Sequence, residues 1–461
     1  MRYLDFELAV DRLVEGEYAV GARSPAGEAR ARSPLRLDRA ELQRQVRAYD
    51  AAVRGLRAPP APPPAPASDL AAAGAGTPAA VTVARRDIAV YDAEPERSPP
   101  PAGDVRALGT TLFRAVMVDE VAECWRVCLA RARERGMGVR VQLRLQPPEL
   151  AALPWEYLYD PGQEDFTALS LETPVVRYVE VARAPEALAI ERPLRVLAVV
   201  ASPTDHATLD KGAEQERVGR ALAELRDGGQ VELEWIEGGT LAALQAALRR
   251  GPWHVLHYVG HGGFDAEHDE GVLLLEGEDG RAHPVSGATL GRLLAGHPSL
   301  RLAVLNACDG ARASESSVFS STAGTLVRRG IPAVVAMQYP ITDGAAVRFA
   351  HAFYGALADG VPVDAAVTTA RVALAGADRA SVEWGTPVLF LRAPDGVLFR
   401  TGHTAEWQAM SLPGGGGARG APARPAAVAS SRPTGRLVAA AVGALALPAL
   451  AAAALAAGRV A

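Results

Sequence analysis

The sequence predicts an α/β protein built on a doubly wound, mostly parallel sheet flanked by helices, with a small α+β appendage at the amino terminus. Two observations lead there. From Pro193 onward, short apolar runs alternate with segments of helical period, the pattern of parallel strands joined by crossover helices. Of the 461 residues, 49% are hydrophobic and 22% charged, a balance that allows more than one buried layer.

In chain order, YLDFELAV and YAVGARS alternate with period two and read as strands, and a helical pattern spans 38–53. Residues 1–57 therefore form the expected appendage. Residues 58–80, APPAPPPAPASDLAAAGAGTPAA, lack apolar periodicity and read as an extended linker. A globular domain is expected over 81–400, with its core at about 193–395. It opens with one amphipathic helix through FRAVMVDEVAECWRVCLARARERG and strands VRVQLRL and VVRYVEV; between these, LPWEYLYD supplies Trp155 as a core anchor. The alternating part runs through strand LRVLAVVAS, helix 212–226, strand VELEWI, helix 241–249, strand WHVLHYV, an edge hairpin at VLLLEG and helix 287–295. Strand LRLAVLNA, a helix after Ser317, strand AVVAMQ, two helices and strand PVLFLR complete it. Val347, Ala350, Tyr354 and Leu357, then Val363, Val367, Ala370 and Leu374, recur at helical spacing and read as core stripes.

Residues 401–436 return to a Gly, Pro and Ala-rich linker, and 437–458 are 22 residues without a charge between Arg436 and Arg459. At about 1.5 Å per residue this run reaches across a roughly 30 Å hydrocarbon layer. A C-terminal transmembrane helix is the expectation, set against a tail that stays in water because the run is Ala-rich and contains Pro448.

Net charge is −5 and the arginines are interleaved with acids, so no basic stripe points to nucleic acid. Three cysteines are too few for a disulfide framework and indicate a reducing compartment. Asp5, Glu7 and Asp11 interrupt the apolar run that an export signal needs. The expectation is a cytoplasmic catalytic domain, anchored to the inner membrane by its C-terminal segment. Cys124 and Cys128 share one helical face without a second ligand pair, which makes them structural thiols.

Chemistry concentrates at two strand ends. WHVLHYV runs into GHGGFD, placing His261 among Gly260, Gly262 and Gly263, and LRLAVLNA runs into Cys308. Open α/β sheets bind ligands at the carboxyl ends of their strands. The 308 − 261 = 47 intervening residues hold the hairpin, one helix and one strand, so the two strands are expected as neighbours, roughly 4.8 Å apart. An imidazole beside a thiol favours the nucleophilic thiolate. Gly262 lets its N–H approach a substrate, and the Cys308 N–H is a second donor for a developing oxyanion. Spacing alone leaves open a plain loop histidine and a core cysteine.

The segments LPWEYLYD, WHVLHYVGHGGFD, LRLAVLNACDGA and VRRGIPAVVAMQYPITDGAAVRFAHAFYGAL, in this order, resemble the CHAT family of caspase-like peptidases in bacteria, over roughly Leu108 to Arg392. The resemblance implies a caspase-like fold and a cysteine endopeptidase with His261 as base, Cys308 as nucleophile, and Gly262 with the Cys308 amide as oxyanion hole. It further implies no cofactor, a protein substrate, and a role in bacterial defence or programmed death. The substrate could be a gasdermin-like pore former or another neighbouring-gene product. The sequence departs from the family in lacking the helical repeats for which the family was named, and in LNA where LSA is commoner. Asn306 there is expected to bond to nearby backbone.

Rival readings are a catalytically silent scaffold or signalling module, a nucleotide-binding domain, disfavoured because no G-x-G-x-x-G or P-loop follows a strand, and a zinc site on His254, His257, His261 and Cys308. Strand alternation argues against the zinc set by putting His254 and His257 on opposite faces. Asp205, Asp309 and Asp343 lie at the same rim, but each reads first as a solvated turn residue.

Overall fold

The computed structural model describes residues 2–14, 17–33, 103–146, 148–180, 184–265, 267–268, 270–307, 316–339, 341–377 and 381–401. The linker expected over 58–80, the one over 401–436 apart from Thr401, the helix over 38–53 and the uncharged run 437–458 lie outside them. Among the described residues no helix is long and apolar enough to cross a membrane, so the expected anchor finds no support there.

The amino-terminal strands are β1 (Tyr3–Val14), β2 (Glu17–Ser24) and β3 (Gly27–Arg32), followed by helices α1 (Gly103–Val116) and α2 (Asp119–Glu134) and strands β4 (Gly138–Leu145) and β5 (Val175–Tyr178). The alternating part comprises β6 (Leu194–Val200), α3 (Lys211–Ala221), β7 (Val231–Trp235), α4 (Leu241–Leu248), β8 (Val255–Asp265), hairpin strands β9 (Glu270–Glu276) and β10 (Ala282–Ser286), and α5 (Gly287–Ala295). It ends with β11 (Leu302–Ala307), α6 (Ser316–Arg329), β12 (Ala333–Met337), α7 (Asp343–Ala358), α8 (Val363–Ala377) and β13 (Pro387–Leu391).

These strands form one 13-stranded sheet in the order β7-β6-β8-β11-β12-β13-β5-β4-β1-β2-β3, with the β9–β10 hairpin attached to β8. The block from β7 to β12 is parallel, and so is the block β13, β5, β4, β1; the two meet antiparallel at β12 and β13. One crossover helix returns the chain to the end of the sheet where the previous strand began and gives a parallel neighbour. Between β12 and β13 the chain makes two helical passes, α7 and α8, so the next strand runs the other way.

Alternation along the strands feeds two helical layers. Val196, Val255, Val304 and Val335 share a core with α3, α7 and α8. Leu197, Leu256, Ala303 and Val334 on the opposite face pack with α4, α5 and α6. The α/β, doubly wound expectation stands.

The amino-terminal strands join the main sheet: β1 pairs in parallel with β4, Phe6 opposite Val141. Phe6, Leu8 and Val10 are fully buried there, so the run is committed to the common core. The single helix expected through Cys124 is two helices, broken where Val118 is extended and Asp119 takes φ 44°, a left-handed turn that Asp tolerates better than most residues. Cys128 is buried, and the Cys124 Sγ lies 3.4 Å from the Ser24 hydroxyl. Trp155 is fully buried and donates its indole N–H to the Leu150 carbonyl at 2.6 Å.

Candidate active site

β8 and β11 are parallel neighbours, in register from Val255 opposite Leu302 to Gly260 opposite Ala307. This is the adjacency the 47-residue spacing predicts. His261 is the next residue on β8. Cys308 is the next residue of the chain after β11 and, with Asp309, lies outside the described residues.

Past Gly260, β8 leaves its parallel partner and continues as an antiparallel pair with β9, His261 opposite Leu274 and Gly262 opposite Leu273. Tyr258 fixes this transition. Its hydroxyl shares its one proton between the His261 carbonyl at 2.8 Å and the Leu274 carbonyl at 3.0 Å, joining both strands. Gly260 is needed for that contact, since a Cβ there would sit 2.3 Å from the Tyr258 hydroxyl oxygen.

The His261 side chain is buried, 3% exposed, and its Nε2 lies 2.7 Å from the Ala207 carbonyl oxygen. A carbonyl only accepts, so Nε2 carries the proton. In the neutral ring, Nδ1 then holds the lone pair, and Nδ1 is the atom that can accept a proton. Burial pushes the His261 pKa below its ordinary 6.5, against the opposing pull of the Ala207 bond, and the His206 ring 5.9 Å away adds to the lowering. His261 is therefore a neutral base at neutral pH.

The other histidines have separate partners. His254 Nδ1 accepts the Arg195 backbone N–H at 2.9 Å, and His257 Nδ1 pairs with the Tyr354 hydroxyl at 2.7 Å. Burial lowers both to about 4, with Arg195 contributing at His254. His257 thus hydrogen-bonds to α7. Among the described residues the buried Asn306 Oδ1 finds no partner, and Asn306 lines a cavity of about 20 Å³ with His257. That is room for about one water molecule.

Of the rim carboxylates, Asp205 accepts the Ala282 N–H at 2.8 Å and sits 3.1 Å from His206 Nδ1, and Asp343 pairs with Arg217 at 2.8 Å. Both are occupied in holding local structure. Sequence reasoning missed the Ala207 carbonyl, which as a backbone group has no residue signature, and Tyr258, which looks like an ordinary core residue in WHVLHYV.

The sequence profile of the CHAT domain matches residues 106–414. Two structures of the separase–securin complex of Saccharomyces cerevisiae resemble the fold at 10% identity, with TM-scores of 0.41 and 0.39; they cover 84% and 86% of this chain. The chain spans 30% of the length of those structures. No curated protein matches the sequence.

Proposed function

The chain belongs to the CHAT domain family, and from that premise we propose that it is a cysteine endopeptidase cutting a protein substrate through Cys308 and His261, in bacterial defence or programmed death. The observation that carries the reading is the register of β8 with β11: with Gly260 opposite Ala307, the histidine and the cysteine follow at the same end of adjacent strands. In this mechanism His261 Nδ1 takes the Cys308 thiol proton, and the thiolate attacks the scissile carbonyl. The N–H groups of Gly262 and Cys308 stabilise the oxyanion. As the C–N bond breaks, His261 returns the proton to the leaving amine, and a water molecule activated by the same nitrogen then hydrolyses the thioester. No step calls for a cofactor.

The test is to incubate the full chain and its Cys308→Ala variant with products of neighbouring genes and sequence any new amino termini. Cleavage by the wild type alone supports the proposal. Cleavage by both removes Cys308 as nucleophile, and a wild type inert toward every product favours the scaffold.

A further inference from the structure

We propose that Glu276 is a positioning residue for the His261 imidazole, acting through the loop that carries Ala207. The inference rests on His261 being the catalytic base. Ala207 lies between the end of β6 at Val200 and the start of α3 at Lys211, and both ends of that loop converge on one carboxylate oxygen. Glu276 Oε1 accepts the Ser202 N–H at 2.7 Å and lies 2.6 Å from Lys211 Nζ. Ser202 closes the loop on itself, its hydroxyl accepting the Leu209 N–H at 2.9 Å and donating to the Leu209 carbonyl at 3.2 Å.

The hairpin that carries Glu276 grips the loop at two more points. Thr204 donates its N–H and its hydroxyl to the Gly280 carbonyl at 2.9 and 3.1 Å, and Asp205 accepts the Ala282 N–H at 2.8 Å. The same hairpin pairs with the His261 backbone, His261 opposite Leu274, two residues before Glu276. One element therefore registers the backbone of the histidine and clamps the loop that holds its ring.

The carboxylate is seated as a built feature. Its side chain is 12% exposed, and Oε2 faces the Gly239 N–H at 3.4 Å. A Cβ on Gly239 would come within 2.7 Å of Oε1, so that glycine leaves the space the carboxylate occupies. Burial alone would raise the Glu276 pKa, but Lys211 and the two backbone N–H groups outweigh it and keep the group ionised. Freed from this clasp, the Ala207 carbonyl loses its fixed place, and with it the reason for the proton to stay on Nε2.

The experiment uses the full chain with ¹⁵N-labelled histidine, the His261 signals assigned by their loss in His261→Asn. The wild type should show Nε2 protonated and Nδ1 bare. Glu276→Ala should give a mixture of tautomers and, as the ring is displaced, a loss on the order of 10²-fold in the rate at which iodoacetamide alkylates Cys308 at neutral pH. Glu276→Gln, which keeps an acceptor for Ser202, should restore much of both. If Glu276→Ala does not fold, Lys211→Met removes the ion pair that ties the other end of the loop to the same carboxylate oxygen and should shift the tautomer likewise. An unchanged His261 tautomer in the folded variant overturns the proposal. A shifted tautomer in a chain whose alkylation is indifferent to His261 keeps the positioning role and overturns the peptidase reading instead.

Discussion

Gly260 is where a single methyl group decides whether β8 can reach the site. A Cβ at that position overlaps the Tyr258 hydroxyl, which holds the His261 and Leu274 carbonyls. Tyr258 is fully buried in the core, so its ring has little room to retreat. Gly260→Ala is therefore expected to destabilise the fold by about 1–3 kcal/mol, read as a lower denaturant midpoint at unchanged slope. A midpoint equal to wild type would show that Tyr258 can move aside without cost. Sequence reasoning singles out His261, Gly262 and Cys308 as candidates because those residue types stand out at the end of an apolar strand. It could not find the Ala207 carbonyl or Glu276, whose roles depend on a loop and a hairpin meeting in space.

The helix pair α7–α8 shows what pattern reading captures at the scale of elements. Both helical stripes are legible from spacing, and Tyr354, Leu357, Val363, Val367, Ala370 and Leu374 are all buried. The reversal of strand direction that the pair imposes on β13 is not legible in any one segment, since it follows from the number of passes between strands. A buried ion pair joins α8 to the sheet, Arg140 Nε of β4 donating to Asp364 Oδ2 at 2.6 Å, with both side chains almost wholly out of solvent. Arg140 also donates to the Pro394 carbonyl. Removing Asp364 takes the buried partner and leaves Arg140 only the half-exposed Asp5 carboxylate at 3.2 Å, so Asp364→Ala should cost roughly 3 kcal/mol, the low end for a broken buried pair. Replacing both residues with apolar ones of similar volume should cost much less. Equal losses in the single and double variants would mean that packing, not charge, sets the effect.

Across the whole molecule, the strands themselves were legible but their partners only where the intervening chain was short. β8 and β11 are separated by one hairpin and one helix, and their adjacency follows from the spacing. β1 pairs with β4 far along the sequence, Phe6 opposite Val141, and alternation within YLDFELAV carries no information about that distant strand. The buried histidines give the molecule a global pH response. His257 is lowered to about 4 by burial, against 6.5 in an open chain, so between those values the unfolded state binds more protons than the folded one. Stability is then fully present above pH 6.5 and falls as the pH drops toward 4, by about 3 kcal/mol from His257 alone. Denaturant midpoints measured across that window should decline with acid, and His257→Gln should flatten the slope; an unchanged slope would assign the response to other groups. The central claim, that His261 activates Cys308, is tested most directly by the rate of Cys308 alkylation by iodoacetamide as a function of pH, followed by mass spectrometry of the modified peptide in wild type and His261→Ala. Because burial holds His261 below its ordinary 6.5, the wild-type rate should stay high at neutral pH and fall along an acid limb centred below 6.5, and the variant should lose both the rate and that limb. Superimposable profiles for the two proteins would contradict it.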